Sequence, residues 1–64
     1  MSRVYDPVSK KEGTIGSFPF TATHNGKTYY FETINNKVTF ETAPDYYIQM
    51  FKNEKPHLDP GQVY

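Results

Sequence analysis

Histidine and carboxylate side chains are the groups of this chain that could do chemistry. His24 lies beside a predicted turn, and neutral histidine is the commonest protein ligand of metal ions. His57 and Asp59 could join it, although no spacing requires this and a histidine beside a turn is usually just exposed. Glu41 and Asp45 come nearest to paired catalytic carboxylates, and we interpret them as part of a solvated face. No Ser-His-Asp order, glycine-rich phosphate loop or HExxH pair stands out.

Length and composition narrow the functional classes. The chain has 64 residues, no cysteine, and seven basic against seven acidic residues. Without cysteine it has neither disulfides nor the usual structural zinc sites, and so short a chain encloses no pocket by itself, which argues against an enzyme. A nucleic-acid binder normally carries a basic surplus. Since no apolar run is long enough for a membrane span or a signal peptide, we predict a cytoplasmic protein that binds neither nucleic acid nor membrane.

The elements that must position these side chains begin with a β-hairpin over residues 18–32. The Asn25-Gly26 pair is typical of a two-residue type I′ turn, because both central residues of that turn need positive φ. This turn sets His24 opposite Lys27 and fixes the register of both strands. The core face then carries Phe20, Ala22, Tyr29 and Phe31.

The opposite face of the hairpin is semi-polar. Side chains alternate between the faces of a strand, and this face carries Thr21, Thr23, Thr28, Tyr30 and Glu32. Such a surface suits packing on another sheet or on a second copy, and the open edge of a two-stranded sheet can pair with another chain. We therefore consider a homodimer.

Residues 33–43 predict a short helix, with Thr33 as its N-cap. Ile34 and Val38 share one side of this helix, whereas Phe40 lies nearly opposite. Because Phe40 is larger, we expect its side to face the sheet. Ile34 and Val38 are then either partly exposed, as a contact for a subunit or a partner, or covered by the N-terminal arm.

The remaining segments complete an α+β fold, a small β-hairpin followed by one or two short helices. Residues 44–52 predict the second helix, with proline in its first turn. We expect an N-terminal arm and mobile loop over residues 1–17, a core domain over residues 18–52, and an extended or disordered tail over residues 53–64.

The stretch GKTYYFETINNKVTFETAPDYY, from Gly26 to Tyr47, resembles the YHS domain. That family has the pattern Gly-Lys-x-Tyr-Tyr-Phe, then a short helix with an aromatic residue, then Pro-x-x-Tyr. The matching residues are Gly26, Lys27, Tyr29, Tyr30, Phe31, Phe40, Pro44 and Tyr47. Asp6-Pro7-Val8 looks like the family's Asp-Pro-Val opening, and His24 matches a position that is often histidine. The resemblance covers residues 5–48 and implies a ββα core related to treble-clef zinc modules, with a role in metal handling or as an accessory to metal enzymes.

The chain departs from the family where metal would bind. The positions that are cysteine in metal-binding members are Ser9, Glu32 and Asn36 here, so the thiolate ligands are absent. The fold must then rest on aromatic residues, without a required metal. These are Phe18, Phe20, Tyr29, Phe31, Phe40, Tyr47 and Phe51.

Glu32 and Asn36 still occupy positions where a strand end and the first turn of a helix converge. A carboxylate and an amide suit a hard divalent cation, and His24 is a third candidate ligand. The alternative, which we prefer, is that Asn36 hydrogen-bonds the backbone near the helix start, while Glu32 is solvated or pairs with a lysine.

Two functions follow from these observations. The first is a small stand-alone YHS-like accessory or interaction module, non-catalytic, that binds a protein partner or itself. Its predicted interaction surface consists of Thr21, Thr23, Thr28, Tyr30, Ile34 and Val38. The alternative is a metal-binding protein that uses a non-thiolate site of His24, Glu32 and Asn36.

Overall fold

The computed structural model describes residues 2–64, which form two antiparallel two-stranded sheets followed by two helices. The predicted α+β fold, a hairpin followed by short helices, is confirmed. In chain order the elements are β1 (Arg3–Tyr5), β2 (Glu12–Thr14), a 3-10 turn (Ile15–Ser17), β3 (Phe20–His24), β4 (Lys27–Phe31), α1 (Ile34–Thr42) and α2 (Pro44–Glu54).

The β3–β4 hairpin has the predicted register. His24 lies opposite Lys27, and the pairing continues outward to Phe20 opposite Phe31. Asn25 and Gly26 have φ angles of 53° and 79°. Both therefore occupy the left-handed region that a type I′ turn requires. A purely local signal thus fixes which side chains of both strands face the core.

Both helices begin where Thr33 and Pro44 predict. The Thr33 hydroxyl accepts a hydrogen bond from the backbone N–H of Asn36 at 3.2 Å. This bond satisfies one of the free N–H groups of the first turn of α1. Pro44 opens α2, where its missing N–H costs nothing. Helix α2 runs to Glu54, two residues past the predicted end at residue 52. Neither helix of the described chain is long and apolar enough to cross a membrane.

The main core lies between α1 and the β3–β4 hairpin, and its centre is aromatic. The Phe40 ring lies 5.1 Å, centroid to centroid, from both Tyr29 and Phe31. All three side chains are buried, as are the predicted core residues Phe18 and Phe51. Phe20 and Tyr47 are only half-buried and pack against the edge of the cluster. A protein of this size covers only one side of each strand or helix. Predicted core residues at the edge of the cluster therefore remain partly exposed to solvent.

The N-terminal segment differs from the predicted arm and mobile loop, because it forms a hairpin of its own. Arg3 lies opposite Thr14 and Tyr5 opposite Glu12. The connecting loop is closed by two backbone hydrogen bonds, Lys10 N–H to Asp6 C=O at 2.7 Å and Asp6 N–H to Lys11 C=O at 3.0 Å. Strands of three residues are too short to show a periodic pattern, so the sequence gives no sign of them.

The C-terminal segment also differs from the predicted extended or disordered tail. Residues 55–64 turn back along the body, and Pro60 is fully buried. Tyr64 and Arg3 exchange two backbone hydrogen bonds, of 2.7 and 2.8 Å, so the chain end lies beside β1 as a third strand would. The Tyr64 ring packs edge-on against Tyr5. These contacts join opposite ends of the chain, which local sequence patterns do not reveal.

Gly13 in β2 packs directly beneath the buried Phe18 ring. A Cβ atom at Gly13 would lie 2.4 Å from Phe18 Cε1. We therefore expect Gly13→Ala to lower the free energy of unfolding by about 1–3 kcal/mol, because the ring must shift within a packed region. Thermal or urea unfolding measures the change. Gly16→Ala is the matched control, since nothing lies within 4 Å of the added methyl group there. Equal stability of the two variants would contradict this packing.

Candidate functional site

A fully buried carboxylate, Asp6, lies at the junction of three segments. Its Oδ1 accepts hydrogen bonds from the backbone amides of Val8 at 2.7 Å and Ser9 at 3.1 Å. Its Oδ2 accepts from the backbone amide of Glu32 at 3.1 Å and from Asn36 Nδ2 at 2.9 Å. Asp6 therefore joins the loop after β1, the end of β4 and the first turn of α1. We call this group of five residues the Asp6 network.

The Asp6 network satisfies a group that is otherwise costly to bury. An isolated carboxylate in a protein interior is strongly disfavoured unless hydrogen bonds replace its water shell. Two oxygens offer about four acceptor positions, and four N–H groups occupy them here. None of these donors is a charged side chain. The contacts are hydrogen bonds to neutral dipoles, and there is no ion pair.

The Asp6 network contains all three residues that stand where the resemblance implies cysteine, Ser9, Glu32 and Asn36. The structure brings them together around one carboxylate. Asn36 uses its side-chain N–H on Asp6 and not on the backbone, while the Glu32 side chain is half-buried. Asp6 itself was not among the predicted site residues. The signal that could have found it is an aspartate before proline, where Asp commonly binds amides two or three residues ahead.

His24 lies at the other end of the hairpin. Its Nε2 is 2.9 Å from Asp45 Oδ1 of α2, and its ring packs edge-on against Phe40. Glu32 lies five residues beyond Lys27, the partner of His24, and a strand rises about 3.4 Å per residue, which separates them by roughly 17 Å. His24 and Glu32 therefore do not converge on one ion in this arrangement.

The tail residues proposed to join His24 lie elsewhere. His57 is exposed, and Asp59 binds Lys27 Nζ at 2.7 Å through Oδ2 and the Gly61 amide at 2.9 Å through Oδ1. Burial alone would raise the pKa of Asp59, but the Lys27 ammonium and the Gly61 N–H outweigh it and lower that pKa. The hydrogen bond to the Asp59 carboxylate in turn raises the pKa of Lys27. Asp59 thus fixes the tail to β4.

No cluster of three or more histidine, aspartate or glutamate side chains suited to a metal ion occurs within residues 2–64. The same part of the chain forms no pocket.

The α1 side chains of the predicted interaction surface are uncovered. Ile34 and Val38 are 52% and 53% exposed, so the N-terminal segment does not lie over them. Ile34 and Val38 are exposed because the opposite side of α1 is the one that packs on the protein. On that side Phe40 faces the sheet and Asn36 faces Asp6. Two apolar residues one turn apart therefore form a stripe on the surface, the α1 stripe.

The outer face of the β3–β4 hairpin is also open. Thr21, Thr23 and Thr28 are exposed and Tyr30 is half-buried. Their side chains project away from the core that Tyr29 and Phe31 enter from the same sheet.

Comparisons with known proteins add no relationship to these observations. No protein-family model, no curated protein and no solved structure matches this chain.

Proposed function

We propose that this chain is a small non-catalytic accessory module of YHS type that works in the cytoplasm by binding a protein partner or a second copy. One observation carries the proposal, the exposure of Ile34 and Val38 on α1. Polar residues at both positions would serve the helix equally well, since neither side chain contributes to the core. Because each residue is only about half exposed, burying the exposed part against a partner would gain about 0.8–1.5 kcal/mol each.

The threonine-rich outer face of β3–β4 supports the same proposal. Threonine has a high β-propensity and presents both a methyl and a hydroxyl group. Such a face can pack on a partner without leaving buried polar groups unpaired. A reducing compartment fits a chain without cysteine, since it has no disulfide to form.

A second candidate, a metal-binding protein, is supported by the oxygen atoms of the Asp6 network. The backbone of Glu32 and the side-chain amide of Asn36 both contact the Asp6 carboxylate, and carboxylate and amide oxygens suit a hard divalent cation. Against it, Asp6 already accepts four hydrogen bonds. A metal bound to Asp6 would have to displace some of them.

Elemental analysis of protein purified without an affinity tag separates the two candidates. An interaction module should carry no stoichiometric metal. A metal-binding protein should carry about one ion per chain and lose it in Glu32→Gln, whereas His24→Ala is the matched control at the far end of the hairpin. Metal that is lost only in Glu32→Gln would replace the first candidate by the second.

Site-specific crosslinking tests the interaction itself. A photoreactive amino acid at Val38 should give one reproducible adduct in host cells, because this side chain projects from the α1 stripe. The same group at Glu41, exposed on the same helix, is the control. Ile34→Lys should remove the adduct. Adducts of equal yield from both positions, or none from Val38, would contradict the proposal.

A further inference from the structure

We propose that β3 pairs edge to edge with β3 of a second copy, antiparallel about Ala22, to form a four-stranded sheet. This inference rests on the proposed interaction function and names the partner as the chain itself. It follows from which backbone groups of the hairpin face outward, and from the chain segments and charged residues found at β4.

The outward groups of β3 belong to Thr21 and Thr23. A two-residue turn makes His24 and Lys27 a hydrogen-bonded pair, and hydrogen-bonded and non-bonded pairs alternate along an antiparallel ladder. The N–H and C=O groups of Thr21 and Thr23 therefore point away from β4. Within residues 2–64, no hydrogen bond from outside the hairpin reaches them.

Both ends of the chain lie against the other strand of the hairpin. Strand β1 packs against β4, and the Glu32 amide at the end of β4 donates to Asp6. The tail passes β4 as well, since Asp59 binds Lys27 and the Cα of Gly61 lies so close to Tyr29 that a Cβ there would be 3.1 Å from its ring. Chain segments from both ends thus gather at β4, while β3 has β4 on one side and an unpaired edge on the other.

The β3 edge lacks the features that usually prevent pairing. Proteins protect exposed edges with charged side chains, prolines or bulges. Strand β3 has the sequence FTATH, with no lysine, arginine, acidic residue or proline, and its pairing with β4 is continuous. By contrast, β4 carries Lys27 and is followed by Glu32. A second copy of β3 can therefore approach without bringing like charges together.

Twofold symmetry then sets the register. In an antiparallel pair related by a twofold axis, the residue at the axis lies opposite its own copy. If that residue is Ala22, Thr21 lies opposite Thr23 of the second copy. These residues carry the outward groups, so both symmetric Thr21–Thr23 pairs form hydrogen-bonded pairs. The small Ala22 side chain lies at the axis, where its copy approaches most closely. Phe20 lies opposite His24 of the second copy.

A charge-swap experiment tests this register. Sedimentation analysis at up to about 500 μM should show a dimer for the native chain. Thr21→Lys with Thr23→Lys places like charges opposite each other twice and should weaken dimerisation about tenfold or more. Thr21→Glu with Thr23→Lys places opposite charges in the same pairs and should restore native affinity. Asn53→Lys, exposed on α2 and outside the predicted interaction surface, is the control and should leave the dimer unchanged. Circular dichroism confirms that each variant is folded.

Three results would overturn the pairing. A native chain that stays monomeric at that concentration excludes it, while a Val38 adduct with another protein would keep the interaction function. A dimer that resists the double-lysine variant but dissociates in Ile34→Lys with Val38→Lys uses the α1 stripe instead. A charge-swap variant as weak as the double-lysine variant excludes this register.

Discussion

Asp6→Ala is expected to lower the free energy of unfolding by about 3–5 kcal/mol, because four N–H groups lose their common acceptor. Each unsatisfied buried donor costs about 1–3 kcal/mol, and the costs are not additive because water can reach some of these groups once the side chain is truncated. A chain of this length has a total stability of roughly 3–10 kcal/mol. We therefore expect the variant to lose about a third or more of its stability, as urea titration followed by circular dichroism would show.

A swap of side chains separates the Asp6 network from a general effect of truncation. In Asp6→Asn one carboxylate oxygen becomes an N–H₂ group, which then faces the backbone N–H of either Glu32 or Ser9. Because two donors face each other, we expect this variant to be less stable although the side chain keeps its size. Adding Asn36→Asp to it restores an acceptor opposite the new amide and should recover part of the loss. Asp45→Ala is the matched control, since that carboxylate is exposed and loses only a surface contact with His24, and its cost should stay within about 1 kcal/mol. A cost for Asp6→Ala no greater than for Asp45→Ala would contradict the role of the network.

The hairpin and the helix starts could be predicted because their causes are local. Asn25-Gly26 determines the turn, the turn determines the register, and the register determines which faces of β3 and β4 are buried. Thr33 likewise marks a helix start through a hydrogen bond within the first turn, and Pro44 does so because its fixed φ and missing N–H suit the first helical position. The size of Phe40 predicted which side of α1 faces the sheet, but it left open whether the N-terminal segment covers the α1 stripe.

The N-terminal hairpin, the tail and Asp6 could not be predicted because their causes are distant in sequence. Asp6 binds groups 26 and 30 residues away, and Tyr64 pairs with Arg3 at the opposite end of the chain. From the sequence alone a carboxylate is expected to be solvated, because the hydrogen-bond donors that allow its burial are far away along the chain. The sequence did point to Glu32 and Asn36 as neighbours, but not to the buried group between them.

The candidate site and the core are physically linked through α1. The first turn of this helix binds Asp6 through Asn36, and the next turn packs Phe40 against Tyr29 and Phe31. The polar contact orients the helix and the aromatic contact supplies the buried area. The α1 stripe keeps its position on the surface only while both contacts hold.

Phe40→Ala should lower the free energy of unfolding by about 3–5 kcal/mol, the usual cost of removing a buried phenylalanine. The ring is 1% exposed and lies against Tyr29 and Phe31 at 5.1 Å, so truncation leaves a cavity and removes two aromatic pairs. Alanine is the better helix former, so the loss measures packing. Urea unfolding of both chains at the same low micromolar concentration gives the value.

Val38→Ala on the same helix is the control that makes this loss interpretable. Val38 is 53% exposed and lies away from the core, so its truncation removes little buried area, and the higher helix propensity of alanine offsets part of that. We expect a change within about 0.5 kcal/mol. If the two variants were equally stable, Phe40 would not be the centre of the core. If Val38→Ala instead lowered the free energy of unfolding more than Phe40→Ala, the opposite side of α1 would face the sheet. The α1 stripe would then belong to the core and could not be a contact surface.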